Sequence, residues 1–245
     1  MITADMHVHT LYSHGECTVR EAAEAAVRFG LKYLAISEHS TANMFYGLKR
    51  DAFCRLFREI DSMREEFLKQ GLTILKGVEL NLLGNGKVDI PEGPDFEVRV
   101  LGYHRGIMPK NAFAHRALFE AMGLGKNPRK NTEQLIRAIE ENPIDIIAHP
   151  GEYISIDLKK LAYAAARTKT LLEINNRHVT LSADDLRLAA DCGAEFIINS
   201  DAHKKTELCR YQKAIDAARE AGVLALVVNH RVTDGINTEE ANGYI

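Results

Sequence analysis

Seven short apolar runs in this chain end, one after another, on a histidine or a carboxylate: His9, His39, Glu79, His104, His149, Glu173 and Asp201. The runs cover 2–8, 33–37, 73–79, 98–103, 144–148, 171–175 and 195–199, and 224–229 is an eighth candidate. Each is rich in Ile, Val and Leu and bounded by Gly, Asn or Pro, as in strands of a parallel sheet buried on both faces. Helical patterns fill the gaps at 51–70, 132–142, 157–168 and 207–221. Thr18 with Glu21 and Ser182 with Asp185 are helix-start signatures, and Gly30 and Gly193 are the matching stops. Repeated strand–helix units imply a parallel sheet, open or closed. An open doubly wound sheet gathers its polar groups at one switch point, from a few strands. Seven strand ends can aim at one point only if the strands form a ring. The expected fold is therefore α/β, a distorted TIM-like (β/α) barrel of seven or eight strands, with a site at the C-terminal mouth. One domain across 1–245 is expected, with irregular stretches at 84–97 and 105–130.

Composition narrows the function. At 245 residues and 46% hydrophobic, the chain has the length and the core of a single α/β barrel. No apolar run approaches the roughly 18 residues that span a bilayer, and no basic start precedes an apolar core, so neither membrane insertion nor secretion is expected. A net charge of −3 argues against binding bulk duplex nucleic acid, which needs a basic surface. Cys17, Cys54, Cys192 and Cys209 are scattered with no Cys-x-x-Cys, which suits reduced thiols in the cytoplasm. Oligomeric state is not legible.

Residues two apart on a strand share a face, so His7 and His9 can converge on one cation. Imidazole and carboxylate are the ligands that divalent zinc, manganese or iron accept. Asp5-Met-His-Val-His-Thr10, Ser37-Glu-His39, Val78-Glu79, Gly102-Tyr-His104, Ala148-His-Pro-Gly151 and Asn199-Ser-Asp-Ala-His203 occur in that order. With these motifs the chain resembles the PHP (polymerase and histidinol phosphatase) superfamily, and within it the small stand-alone phosphatases. The resemblance implies a distorted barrel with three divalent ions, zinc, iron or manganese. It assigns His7, His9, Glu79 and Asp201 to one ion, and His14, His39 and His203 to a second. Glu79 would bridge to a third ion completed by His104 and His149. His14 stands where many relatives carry Asp, which bears on metal content. The implied activity is phosphoric monoester hydrolysis by a metal-bound hydroxide, with His7, His9, Glu79, Asp201 and His203 as the catalytic group. Histidinol phosphate, a nucleotide and a sugar phosphate are the implied small substrates, and a phosphotyrosine protein is the variant within the superfamily. An amidohydrolase-like metal hydrolase is the alternative outside it, since those barrels also begin with His-x-His. A ligand-binding scaffold without activity, as in PHP domains attached to some polymerases, is the third reading.

Several residues lie beside this pattern. Asp5 shares the strand face of His7 and His9 and would either fix a ring tautomer or sit as a polar residue on the barrel floor, held by hydrogen bonds. Glu173 and Asn175 alternate inward, and Arg177 opens the next loop, where a guanidinium could grip phosphate or pair with a surface acid. The stretch 105–130 sets Arg105, Lys110, Arg116, Lys126, Arg129 and Lys130 against Glu120 alone, a local positive excess suited to steering an anion, or simply a solvated loop. His115 lies inside a helical pattern and reads as a surface residue, and His178 and His230 read as histidines outside the ligand set.

Overall fold

The computed structural model describes residues 1–107 and 112–230. In chain order the elements are β1 (Ala4–Val8), α1 (Val19–Phe29), β2 (Tyr33–His39), α2 (Arg50–Leu68), β3 (Thr73–Gly84), β4 (Lys87–Val88) and β5 (Val98–Gly102). There follow α3 (Ala112–Ala121), α4 (Pro128–Glu141), β6 (Ile146–Ile147), α5 (Leu158–Thr168), β7 (Leu171–Asn175), α6 (Ala183–Asp191), β8 (Phe196–Asn199) and α7 (Gln212–Ala221). Seven parallel strands run in the order β1-β2-β3-β5-β6-β7-β8, and β4 is a short antiparallel partner of β3. The last strand returns to the first, where Val8 bridges Ala202 and the His9 amide donates to the Ala202 carbonyl at 3.0 Å. The fold is a nearly closed parallel α/β barrel of the TIM-like kind.

The sequence patterns became these elements for local reasons. Thr18 and Ser182 both form complete capping boxes, with Glu21 and Asp185 returning the hydrogen bond. Gly30 ends α1 in the left-handed conformation at φ 90°, which a side chain would oppose. Outward strand residues such as Leu34, Ile36, Ile74 and Leu172 join the helices in the larger core. Ala35, Leu75, Val98, Val100, Ile146, Ala148 and Ile197 form a separate apolar plug inside the barrel. The inward positions above that plug are polar, and they form the site.

Four expectations need correction. The run 224–229 is not an eighth strand but a 3-10 turn at Leu224–Leu226 followed by a single bridge from Val227 to Phe196. Its role is to fill the β1–β8 seam from below: the Asn229 amide donates to the carbonyls of Ala4 and Ile198, and its oxygen accepts from the Ile198 amide. Residues 105–130 are not irregular throughout, because they hold α3 and the first turn of α4, with Asn127 as N-cap and Pro128 opening the helix. Residues 84–97 begin with the end of β3 and its hairpin partner β4. Finally, Asp5 does not share a face with His7. Asp5 pairs with Leu34 and Val8 with Ile36, so one extra residue sits in β1 as a bulge and reverses the alternation. Lys110 and the last part of the expected domain, 231–245, lie outside the described residues. Among the described residues no helix is long and apolar enough to cross a membrane.

Candidate metal centre

The bulge in β1 turns both His7 and His9 into the barrel, and each is fully buried. From there the ring of strand ends supplies His39 as the last residue of β2, Glu79 within β3, His104 after β5, His149 after β6 and Asp201 after β8. His14 arrives on the loop after β1, and His203 on the loop after β8. Seven of the nine residues assigned as ligands from the sequence line one cavity of about 200 Å³, and the other two, His7 and His9, lie buried behind it against Glu79 and Asp201. Three sets of donor atoms lie close enough together to share an ion: His7, His9 and Asp201; His39, Glu79 and His104; and His9, His14, His39 and His203.

Glu79 is the hub. One carboxylate oxygen lies 3.2 Å from His7 Nε2, 2.8 Å from His104 Nε2 and 3.2 Å from His149 Nε2. The other lies 2.8 Å from His39 Nδ1 and 3.4 Å from His9 Nε2. Burial by itself would raise this carboxyl group, but the charges of His104, His7 and His39 hold it well below the usual carboxylate range. Asp201 behaves alike, with His7 and His9 overcoming its burial. Conversely, burial would depress His7, yet Glu79, Glu173 and Asp201 pull it well above the ordinary histidine value. The space attracts positive charge. Towards the rim the balance reverses: burial and the neighbouring imidazole His9 push His14 down to about 3 and His203 to about 2. Both rings are therefore neutral near pH 7 and keep a lone pair to give.

Hydrogen bonds behind the rings decide which nitrogen carries that lone pair. Glu173 Oε1 lies 2.9 Å from His7 Nδ1, and a carboxylate can only accept there, so Nδ1 carries a proton and Nε2 is the nitrogen that can give up its proton to hold an ion. Asn81 donates its amide to Asp89 at 2.8 Å, which leaves Asn81 Oδ1 facing His104 Nδ1 at 2.8 Å and assigns His104 Nε2 to the cavity as well. His203 Nδ1 sits 2.9 Å from the Asp201 carbonyl oxygen, with the same consequence. The Nε2 atoms of His7 and His104 face one Glu79 oxygen at 3.2 and 2.8 Å, contacts that require a proton or a metal cation between nitrogen and oxygen. In keeping with this, His7 Nε2, both nitrogens of His9, His14 Nδ1, His39 Nδ1 and Glu79 Oε2 are buried without a hydrogen-bond partner. Such orphaned atoms are rare in folded proteins, and this donor set fits divalent ions.

Strand β7 supports the site without touching its centre. Glu173 accepts from His7 Nδ1 and from the side chain of Asn199 on one oxygen, and from the His149 amide and the side chain of Asn175 on the other. Asn175 also donates to Asp201 at 3.1 Å. These bonds help to hold His149 at φ 28° and Asp201 at φ 51°, backbone angles that residues other than glycine rarely adopt. Asp5, expected to orient a ring, instead accepts the amides of His7 and Ser200 and the hydroxyl of Tyr211 on the helix side of the barrel. Burial raises its carboxyl group to about 6.

Sequence reasoning missed Glu38, Asn81, Asp89, Asn43 and Tyr46. Glu38 is fully buried, takes the amide of Thr10 at 2.8 Å and the hydroxyls of Thr10 and Ser13, and so pins the loop that carries His14. Its position next to His39 was the available signal. Arg177 lines the cavity and sits 3.6 Å from Glu207, so both of its expected roles are geometrically open to it. Arg105 also lines the cavity, with its guanidinium 4.9 Å above the Tyr153 ring. Glu120 is no solvated acid: it accepts the Ser155 amide at 2.6 Å and the Asn131 side chain at 2.8 Å. His115 is exposed on α3. His178 lines the cavity and pairs with Glu152 at 3.2 Å, and His230 lies away from the site, its amide bonded to Val227.

Comparison with known proteins agrees with this geometry. The family model for the PHP domain matches residues 5–220. A probable phosphatase from Syntrophotalea carbinolica is 32% identical over 256 residues, which is 96% of each chain. The DNA polymerase/3'-5' exonuclease PolX of Bacillus subtilis is 29% identical over 232 residues, 89% of this chain and 37% of its own length, so the chain spans little more than a third of that relative. Among solved structures, histidinol phosphate phosphatase from Lactococcus lactis, complexed with zinc, L-histidinol and phosphate, superposes with a TM-score of 0.60 at 18% identity, over 90% of this chain and 92% of that one. The metal-dependent tyrosine phosphatases from Bacillus subtilis and Streptococcus pneumoniae give 0.53 at 18% identity, covering 91% and 89%. At these identities the two structures speak for the fold alone.

Proposed function

The chain belongs to the PHP domain family and is a metal-dependent phosphatase, and on that premise we propose that it releases inorganic phosphate from a small phosphomonoester at three divalent ions. One ion is given to His7, His9, Glu79 and Asp201, a second to His14, His39 and His203, and a third to Glu79, His104 and His149. The observation that carries this reading is the convergence on Glu79 of histidines anchored through Nδ1, whose Nε2 atoms face it. Ions held by these residues would supply Lewis acidity towards phosphoryl oxygens and towards water. Softness favours zinc, iron or manganese over magnesium at so many imidazoles.

The protein's own groups orient the ester. Arg177 begins a loop whose backbone is pinned by Asn175 Oδ1, which accepts the amides of Arg177 and His178 at 2.9 and 2.8 Å. From that anchored position its guanidinium can take two phosphoryl oxygens at once. Glu207 holds Arg177 at the rim and is itself fixed by the amides of His203 and Lys204. The remaining wall, with Tyr46, Tyr153 and Arg105, would read the rest of the substrate, for which histidinol phosphate, a nucleotide and a sugar phosphate are candidates. The alternative amidohydrolase reading gains no support at β5, which is followed by Tyr103-His104 and not by the bridging lysine such enzymes generally carry. The four free cysteines accord with a cytoplasmic setting, which is part of the proposal.

The test is phosphate release from a panel of phosphorylated metabolites, with metal analysis of the same preparation, before and after chelation. Release that disappears with the metal and returns on reconstitution is expected. No release from metal-replete protein on any monoester would overturn the reading.

A further inference from the structure

The loop between β2 and α2, residues 41–48, is held tightly yet exposes three large apolar side chains at the rim of the site. Asn43 is buried, and its side-chain oxygen accepts the amides of Phe45 and Tyr46 at 3.1 Å each. The Ala42 amide donates to Asp89 at 2.7 Å, the Met44 amide to the Gly106 carbonyl at 3.0 Å, and the Leu48 amide to the His39 carbonyl at 2.9 Å. Phe45 lies against Gly106, where a methyl group would meet its ring at 2.8 Å. A backbone so well satisfied has no need to show apolar surface, but Met44 is 53%, Phe45 72% and Tyr46 45% exposed. Contiguous exposed apolar groups beside a polar cavity mark a binding surface.

Tyr46 belongs to the cavity wall, and its ring is stacked on that of His14, 4.1 Å between centroids and 18° between planes. One face of the tyrosine is thus covered by a side chain of the metal cluster. Tyr153, with Arg105 above its ring, lines the cavity too. Aromatic faces prefer offset-stacked or edge-on arrangements with other flat rings, and such pairs gain free energy beyond the area they bury.

We propose that Tyr46, with Phe45 beside it, is the platform on which the leaving group lies, and that this group is a flat aromatic or heterocyclic ring and not an open aliphatic chain. The proposal rests on the phosphatase reading and deepens it.

Benzyl phosphate and propyl phosphate test it on the metal-loaded enzyme, because both release a primary alcohol of similar acidity and differ mainly in the ring. The expected ratio of kcat/KM, benzyl over propyl, is about tenfold or more for the native protein, falling towards one in Tyr46→Ala and kept in Tyr46→Phe. Metal content is measured on each variant, so that an effect through His14 is seen as lost metal. A native ratio near one, or a ratio unchanged in Tyr46→Ala, would overturn the proposal. Failure of the phosphatase reading looks different: neither ester releases phosphate. Calorimetric binding of benzylphosphonate against propylphosphonate then decides the platform by itself, tighter benzyl binding supporting it and equal binding refuting it.

Discussion

Glu173 reaches past β8 to place its Oε1 2.9 Å from Nδ1 of His7, and the same carboxylate receives three further donors, from Asn199, Asn175 and the His149 amide. One buried acid thus sets a ring orientation on β1 and a backbone position after β6. Glu173→Gln replaces one acceptor oxygen by a donor and leaves two N–H groups facing each other. Metal affinity should fall roughly 10–100-fold, as is usual for partners behind a ligand. Titration against a competing chelator measures it, and an unchanged affinity would contradict the orienting role.

Glu79 touches five histidines, whereas His14 stands at the rim. Glu79→Gln should therefore remove more metal and more activity than His14→Ala, with a loss of kcat/KM above about 100-fold, since it exceeds the penalty for an outer partner. Elemental analysis and kinetics on both variants check this. Equal metal content in the two would argue that Glu79 does not bridge.

Asn81 links Asp89 to His104. Asn81→Leu deletes the acceptor that holds His104 Nδ1, so the ring loses its fixed tautomer. The expected outcome is weaker binding, by roughly 10–100-fold, of the ion assigned to His104 and His149, with the others retained. Stepwise dilution into chelator with metal counting would reveal one equivalent lost early. Loss of all metal together would show the ions to be cooperative.

Gly102 lies in β5 where its missing side chain leaves room for the rings. A methyl group there would sit 2.8 Å from His104 Cε1 and 3.0 Å from His149 Cε1. Gly102→Ala should displace both imidazoles and destabilise the fold by about 1–3 kcal/mol, the usual range for overpacking. Thermal unfolding with metal analysis tests it; native stability together with native metal content would refute it.

Arg177 and Arg105 line the cavity, and Arg116, Lys126, Arg129 and Lys130 follow at the same edge of the sequence. An anionic ester should be drawn in, so kcat/KM should fall as ionic strength rises, and Arg177→Ala should raise KM and flatten the dependence. Stopped assays over a salt series, corrected for metal loss, measure this. A flat profile in the native protein would discard steering.

The barrel and its ring of strand ends were legible because both are written in local periodicity. A run such as Leu171–Asn175 turns alternate residues to opposite faces whichever neighbours it has, and only a closed ring lets seven such ends meet. The capping boxes at Thr18 and Ser182 were legible for the same reason, since each is complete within four residues. The bulge in β1, by contrast, depends on the register against β2, and it carried Asp5 away from the site to Tyr211. The helix at 112–121 showed only as a helical pattern around His115, inside a stretch of basic and glycine residues whose periodicity is weak without its packing partners.

The sequence alone determined which side chains would face the barrel mouth, because strand alternation and the order of the apolar runs follow from neighbouring residues. Only the tertiary structure decided which nitrogen of each ring is free, which acid orients it, and that Tyr46 covers His14. Those relations join residues such as Asn229 with Ala4, Glu173 with His7 and Asp89 with Ala42 and Asn81. Hydrogen-bond direction and ring stacking are fixed by ångström distances between distant segments, and no local pattern carries them.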